Sequence, residues 1–344
     1  GDDGMRFRLV DVRERTLEFD EVGRPPQQGH DLVLTIDSRI QLLAERALAQ
    51  RNGAVVVLRP STGEVLAMVS YPWFDPDSFR GVDGAQTLQK LSLDSSYPFV
   101  NRAIRSAYPP ASVFKLIITA AVLEEGIYSS RDTIFCHGSL YYGDRHWRDH
   151  EEEGHGNVNL REALAQSCNI YYYLSGDKLG VEQLASYARA FGLGRLTGID
   201  LPGEATGFVP TPTWKEQDQG VPWVGGDTIN LSIGQGFITT TPLQVANIVA
   251  AIVNGGTVYR PYLVKEVRSG IDGSLVRQNA SKPLFTVDLH PETFAFLREA
   301  MRYTVTDGTP AVAMTTPAVT VGGKTGTAQI RAIQGDEAVG QHSW

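Results

Sequence analysis

The 344-residue chain has little cysteine, no long apolar run and no surplus of positive charge. Two cysteines, Cys136 and Cys168, are too few for a disulfide framework, so stability has to come from a hydrophobic core. The longest nearly apolar stretch, Leu116 to Leu123, falls far short of the roughly 20 residues that cross a bilayer. No signal-peptide pattern opens the sequence. With 31 basic against 39 acidic side chains the net charge is −8, which offers a phosphate backbone nothing to bind, so no nucleic-acid partner is expected. Internal repeats and low-complexity tracts are also missing, which excludes solenoids and arrays.

What is present has the composition of a globular protein rich in turns, with 35 glycines and 18 prolines in a length of about two average domains. Residues 1–30 are charged and mixed, and end in the polar turn Pro25-Pro26-Gln27-Gln28-Gly29, the pattern of a linker or the edge of another domain. From Asp31 the texture becomes globular. Leu32–Ile36 is strand-like, and Asp37 is placed to cap a helix carrying Ile40, Leu43, Ala44, Ala47 and Leu48 on one face. Ala54–Leu58 and Glu64–Val69 flank Pro60-Ser61-Thr62-Gly63, which predicts an antiparallel hairpin at the centre of a sheet. Helical spacing covers Leu160–Leu174, Val181–Phe191 and a segment after Pro242. Gly203–Gly236 reads as a long loop, and Ala318–Gln329 alternates like a strand.

Three short motifs carry chemistry. In Tyr108-Pro109-Pro110-Ala111-Ser112-Val113-Phe114-Lys115 the prolines force an extended approach and then favour helix initiation, which puts Ser112 at a helix N-terminus. Free amides there favour an oxyanion. Lys115, three residues on, shares a face with Ser112 and can take its proton if its own pKa is depressed. The spacing alone is weak, because Ser175-Gly176-Asp177-Lys178 fits it too. Ser167-Cys168-Asn169 places a hydroxyl and a carboxamide two apart, although such a pair is usually only a polar helix end. Gly323-Lys324-Thr325-Gly326-Thr327 offers small residues beside which a substrate backbone can lie, and polar side chains for a carboxylate; a plain surface turn is the bland alternative.

The three occur in one order and in suitable elements, matching the serine acyl-transfer pattern of penicillin-binding proteins and β-lactamases. The chain resembles the transpeptidase domain of class B penicillin-binding proteins, in particular their cell-elongation subclass. Besides the motifs, the likeness rests on Leu34-Thr35-Ile36-Asp37, Thr62–Ser70, Asn101-Arg102-Ala103, Gly154-His155-Gly156, Thr197–Pro202, Gly226-Asp227-Thr228 and Gly234-Gln235-Gly236. The resemblance implies a mixed α/β fold, a central antiparallel sheet with helices on both faces and a helical subdomain, over residues 31–344. Residues 1–30 would then be the remnant of an N-terminal pedestal domain. It also implies a membrane anchor before this segment and further C-terminal strands and a helix after it.

By the same resemblance the activity is peptidoglycan D,D-transpeptidation on the outer side of a bacterial inner membrane. Ser112 would be the nucleophile, Lys115 its base, Ser167 a proton relay and Asn169 an orienting group. Lys324, Thr325, Gly326 and Thr327 would bind substrate, and the Ser112 and Thr327 amides would form the oxyanion hole. β-Lactams would acylate Ser112. Expected partners are stem peptides, a membrane glycosyltransferase and other cell-elongation proteins, and the chemistry needs no cofactor. A serine β-lactamase or D,D-carboxypeptidase, or a non-catalytic β-lactam sensor, are the alternatives; no residue plainly marks a water-activating base. Ala111 departs from the family's usual glycine before the serine. Cys136, Asp149, His155 and Cys168, separated by twelve, five and twelve residues, suit a tetrahedral Zn²⁺, and the elongation subclass implies a zinc at the matching positions. A Cys136–Cys168 disulfide or two buried thiols remain open beside it. His137, His146 and His150 lie close in sequence as alternative ligands or exposed loop residues.

Overall fold

The computed structural model describes residues 1–13, 15–308, 319–331 and 338–344. The first 30 residues contain an antiparallel hairpin of β1 (Met5–Val10) and β2 (Thr16–Arg24). Strand β3 (Asp31–Leu34) follows, and Asp37 caps α1 (Ser38–Leu48) by accepting the Arg39 amide. Ile40, Ala44 and Leu48 of α1 pack on the hairpin of β4 (Gly53–Leu58) and β5 (Val65–Tyr71). Leu43 and Ala47, expected on the same face, stay exposed, because the two-stranded hairpin covers only the i, i+4 row of the helix. Nor does the hairpin sit at the centre of a continuous sheet. A cavity of about 870 Å³ separates β4 from residues Gln341–Trp344, and no described strand bridges it.

A short helix, α2 (Gly84–Ser92), precedes α3 (Lys115–Glu124), whose residues from Lys115 to Val122 are all buried. A helix enclosed all round needs no single apolar face. Four short strands come next, β6 (Thr133–Cys136), β7 (Ser139–Tyr142), β8 (Arg145–Arg148) and β9 (Gly156–Asn159), with β6 paired to β9 and β7 to β8.

The helix expected over Leu160–Leu174 is broken into α4 (Leu160–Ala165) and α5 (Asn169–Ala190), and α5 is kinked at Gly180. The loop expected over 203–236 holds two helices, α6 (Pro212–Gln219) and α7 (Gly225–Leu231). Thr211 caps the first by accepting the Trp214 amide, and Asp227 of the second reaches back to accept the Val224 amide. Helix α8 (Pro242–Val253) buries Ile248 and Ile252 as its spacing predicts.

The remaining elements are β10 (Thr257–Tyr259), β11 (Val264–Arg268), β12 (Leu275–Gln278), β13 (Pro283–Thr286), α9 (Pro291–Asp307), β14 (Thr327–Arg331) and β15 (Ala338–Ser343). β11 pairs with both β12 and β3. The strand expected over Ala318–Gln329 starts only at Thr327, and Ala318 lies outside the described residues. Before it the chain leans on α9 instead, where the Gly323 amide donates to Met301 O. The main core gathers α3, α4, α5, α8 and α9 around Phe114, Ile117, Leu164, Tyr172, Ile248 and Leu297, each 0% exposed. Burying a side chain of this size contributes about 1.5–3 kcal/mol. This helical core carries the Ser112 and Ser167 motifs on one of its margins.

Candidate active site

Ser112 sits in a single 3₁₀ turn, Ala111–Val113, that leads into α3. Tyr108 exchanges backbone hydrogen bonds with Thr240, and the Ala111 amide donates to Gly234 O at 2.9 Å, so the approach to the serine is pinned on both sides. Ala111 adopts φ +50, a left-handed conformation that costs an L-residue about 1–2 kcal/mol. Gly234, at φ +70, lies so close that a side chain there would strike Ala111 O.

Lys115 reaches from the first turn of α3 into a fully buried position. Its Nζ lies 2.7 Å from Ser167 O, 2.7 Å from Asn169 Oδ1 and 3.3 Å from Ser167 Oγ. Burial pulls its pKa down to about 8, which the neighbouring Cys168 and the Asp149 carboxylate only partly offset. Ser167 is where the expected helix breaks. The Cys168 amide donates to Ala163 O and the Ser167 amide to Leu164 O, the paired bonds of a Schellman ending for α4. That ending requires a left-handed residue, usually glycine, and here Ser167 takes φ +57. The turn thereby aims both the hydroxyl and the carbonyl of Ser167 at Lys115.

Helix α5 starts immediately afterwards without a cap from its own N-cap residue, Cys168. Asp149 supplies one from a distance: its Oδ2 accepts the amides of Asn169 at 2.7 Å and Ile170 at 3.2 Å. Burial by itself would raise the Asp149 pKa, but a hydrogen bond from His150, the charge of His155 and the Ile170 amide hold it well below the usual carboxylate range.

The other wall is the segment entering β14. Gly326 and Trp344 exchange both backbone hydrogen bonds, so the next pair, Thr327 and Ser343, is non-hydrogen-bonded in the ladder. The Thr327 amide therefore points away from β15. The Ser112 turn lies against this segment, since a Cβ at Gly326 would meet Pro110 O and Val113 Cγ2 as well as Trp344. Ser112, Ser167, Asn169, Thr325, Gly326 and Thr327 line one cavity of about 290 Å³, together with His150, Ile233 and Gln235. Lys324 is not among its lining residues. Its Nζ donates to Thr325 O at 3.0 Å, and burial followed by the charge of Lys115 depresses its pKa to about 7.

Cys136, Asp149, His155 and Cys168 come together beside this cavity, with one donor atom of each within 4.8 Å of all the others. Cys136 Sγ lies 3.6 Å from Asp149 Oδ2 and 3.6 Å from His155 Nδ1, and that nitrogen is 3.7 Å from Asp149 Oδ2. Tetrahedral zinc bonds imply ligand separations of about 3.3–3.8 Å, which the three among Cys136, Asp149 and His155 match, with Cys168 within 4.8 Å of each. Gly138 and Gly154, at φ +81 and +80, let the loop over 149–155 lie against the end of β6, where side chains would collide with backbone.

Residues 53–344 match the family model described as the penicillin-binding protein transpeptidase domain. The chain belongs to this family. Among curated transpeptidases it is 36% identical over 312 residues to "Peptidoglycan D,D-transpeptidase MrdA" of Acinetobacter baumannii, covering 90% of this chain and 46% of that protein. It is 34% identical over 350 residues to MrdA of Escherichia coli K12, covering 99% and 54%. The chain thus spans about half the length of the curated relatives it matches. Among solved structures, Pseudomonas aeruginosa PBP2 in complex with WCK 5153 superposes with TM-score 0.79 at 35% identity, covering 89% of this chain and 69% of that one. A Helicobacter pylori PBP2 solved with MreC gives 0.79 at 31%, covering 95% and 60%. The ceftriaxone acyl-enzyme of Mycobacterium tuberculosis penicillin-binding protein A gives 0.78 at 32%, covering 90% and 69%. The transpeptidase fold expected from the sequence is the observed one.

Within this transpeptidase domain, His150, Ile233 and Gln235 are cavity residues that the motifs alone do not identify. Gln235 carries a usable signal, since Gly234 and Gly236, both at positive φ, mark a chain bent against the Ser112 turn. His150 carries none, because its place depends on Asp149. The other pair at this spacing makes no such site: Ser175 Oγ, buried within α5, donates to Tyr171 O, and Lys178 lies over the Tyr128 ring.

Proposed function

We propose that this chain is the catalytic part of a peptidoglycan D,D-transpeptidase of the cell-elongation machinery, working through a serine acyl-enzyme. The observation that carries the reading is the buried Lys115 Nζ, held by Ser167 and Asn169 beneath the cavity that Ser112 lines. Neutral Lys115 takes the Ser112 proton as Oγ attacks the penultimate D-Ala carbonyl of a stem peptide. The Ser112 and Thr327 amides hold the oxyanion. The carbon–nitrogen bond breaks, Ser167 relays a proton to the leaving D-Ala, and an amine of a neighbouring strand then takes the acyl group. Lys324, Thr325 and Thr327 bind the terminal carboxylate, Gly326 leaves room for the substrate backbone, and Asn169 orients the substrate amide and Lys115. β-Lactams, as mimics of D-Ala-D-Ala, acylate the same serine.

In this reading residues 1–30 are the end of a pedestal domain and 31–344 the catalytic domain, held to the outer face of a bacterial inner membrane by an anchor elsewhere in the protein. No helix among the described residues is long and apolar enough to cross a membrane. A membrane glycosyltransferase and MreC-like elongation proteins are the partners. Cys136, Asp149, His155 and Cys168 hold a structural Zn²⁺, which ties the β6–β9 pair to the start of α5 and takes no part in the chemistry. Elemental analysis finding about one zinc per chain, and a lower melting temperature after chelation, test that assignment; metal-free protein that melts unchanged in chelator refutes it.

The deciding experiment is labelling by a fluorescent penicillin. The intact sequence is expected to label and to release slowly, and Ser112→Ala to remain unlabelled. Labelling that survives Ser112→Ala refutes the nucleophile. Release within seconds assigns a β-lactamase instead, and slow release without transfer on lipid-linked peptidoglycan assigns a sensor.

A further inference from the structure

One side chain in the cavity has no part in the steps above. His150 lines it beside Ser112, Ser167 and Asn169, and its side chain is 48% exposed, so a ligand in the cavity can reach it. The imidazole is nonetheless anchored. Its Nδ1 lies 2.8 Å from Asp149 Oδ1, and the same oxygen accepts the His150 backbone amide at 2.7 Å. Asp149 is fixed in turn through Oδ2 by the amides that open α5. The metal-type donor cluster gathers at Oδ2, so His150, an alternative ligand by sequence, belongs to the cavity side of the carboxylate instead.

With Nδ1–H donating to Asp149, Nε2 is left as a hydrogen-bond acceptor, and among the described residues nothing in the protein occupies it. The three residues that follow, Glu151, Glu152 and Glu153, are exposed carboxylates, which give this wall a negative field; Lys324 lies next to Thr325 of the other wall, to whose carbonyl oxygen its Nζ donates. A carboxylate therefore belongs on the Lys324 side and a cationic or donating nitrogen on the His150 side.

We propose that His150 positions the acceptor amine, a primary amine entering after the first product has left. The inference rests on the transpeptidase reading. An amine N–H donates to His150 Nε2 and the nitrogen lone pair is thereby turned toward the acyl carbon on Ser112. A nitrogen–carbon amide bond forms, the ester bond to Ser112 Oγ breaks, and one amine proton returns to Oγ by way of Lys115. His150 accepts a hydrogen bond throughout and takes no proton.

The test uses the purified protein with a D-alanyl thioester as donor and D-alanine as acceptor. In His150→Ala the KM for D-alanine is expected to rise about tenfold relative to the KM for the thioester, the worth of one hydrogen bond to an amine. The ratio of hydrolysis to transfer rises with it. His150→Gln, whose amide oxygen can accept the same bond, recovers part of the loss. An unchanged KM for D-alanine in His150→Ala overturns the proposal. So does a parallel fall of acylation and transfer in both variants, the mark of a purely structural role through Asp149. A wild-type protein that acylates but never transfers to D-alanine overturns the transpeptidase reading and this inference with it; His150 effects against a transferring wild type bear on this inference alone.

Discussion

The two walls of the cavity are built on opposite plans. On the Ser167 side the groups that build the site are engaged with one another: Lys115 is shared by Ser167 and Asn169, α5 is capped by Asp149, and the turn holds a left-handed serine. On the Lys324 side the cation has a backbone oxygen one residue away as its recorded partner among the described residues, and no carboxylate. A buried charge without a counter-ion is costly. The first wall is therefore pre-assembled, and the second presents a lysine with no counter-ion among the described residues.

Lys115→Ala should break the first wall most severely. It removes the base and strands Ser167 O and Asn169 Oδ1, so acylation by penicillin should fall by about 10²–10⁴-fold and the melting temperature should drop as well. Lys324→Ala should lower acylation by carboxylate-bearing β-lactams about 10–150-fold, as expected for one hydrogen bond to a charge, while leaving the melting temperature equal or higher. Melting losses of equal size in both variants would erase the distinction between the walls. Asp149→Ala, which uncaps α5 and frees His150, should cost about 2–4 kcal/mol, read as a drop of roughly 5–10 °C.

The pH dependence probes both walls at once. In the proposed mechanism acylation needs Lys115 neutral and Lys324 charged, and their pKa values are depressed to about 8 and about 7. The rate should rise as Lys115 loses its proton and fall as Lys324 loses its own, a shallow bell with its top near about pH 7.5. Lys324→Arg, which stays charged, should carry the falling limb to higher pH; a limb that does not move assigns it to another group. Both lysines hold fewer protons folded than unfolded between these values and 10.5, so stability should rise with pH across that interval. The smallest effect concerns the Ser112 turn, where Ala111→Gly should relieve the left-handed strain and raise stability by up to about 1 kcal/mol in a denaturant titration.

How much of this was legible in sequence depended on the reach of each interaction. Ser112 and Lys115 are three residues apart on one helix start, and Asp37 caps its own helix, so local rules sufficed. The break at Ser167 was not legible, because a left-handed ending normally shows as glycine and here the position needs a hydroxyl. Strand β14 began late because Gly323 is held by Met301 of α9, a partner more than 20 residues away. The helices within 203–236 hid in a glycine- and proline-rich stretch whose capping residues, Thr211 and Asp227, resemble ordinary turn formers. His150 required the whole relay from α5 through Asp149 to be in place first.

The Schellman ending at Ser167 has a consequence for how this cavity can change under selection by an inhibitor. Ala163 O and Leu164 O hold the turn, Ser167 O holds Lys115, Gly234 O holds Ala111, and Trp344 holds Gly326 through its backbone. Apart from the Lys115 ammonium, each of these contacts runs from backbone to backbone, so a change of side chain does not delete it directly. Variation against an inhibitor that also spares the acceptor contact of His150 is left to the rim side chains Ile233 and Gln235.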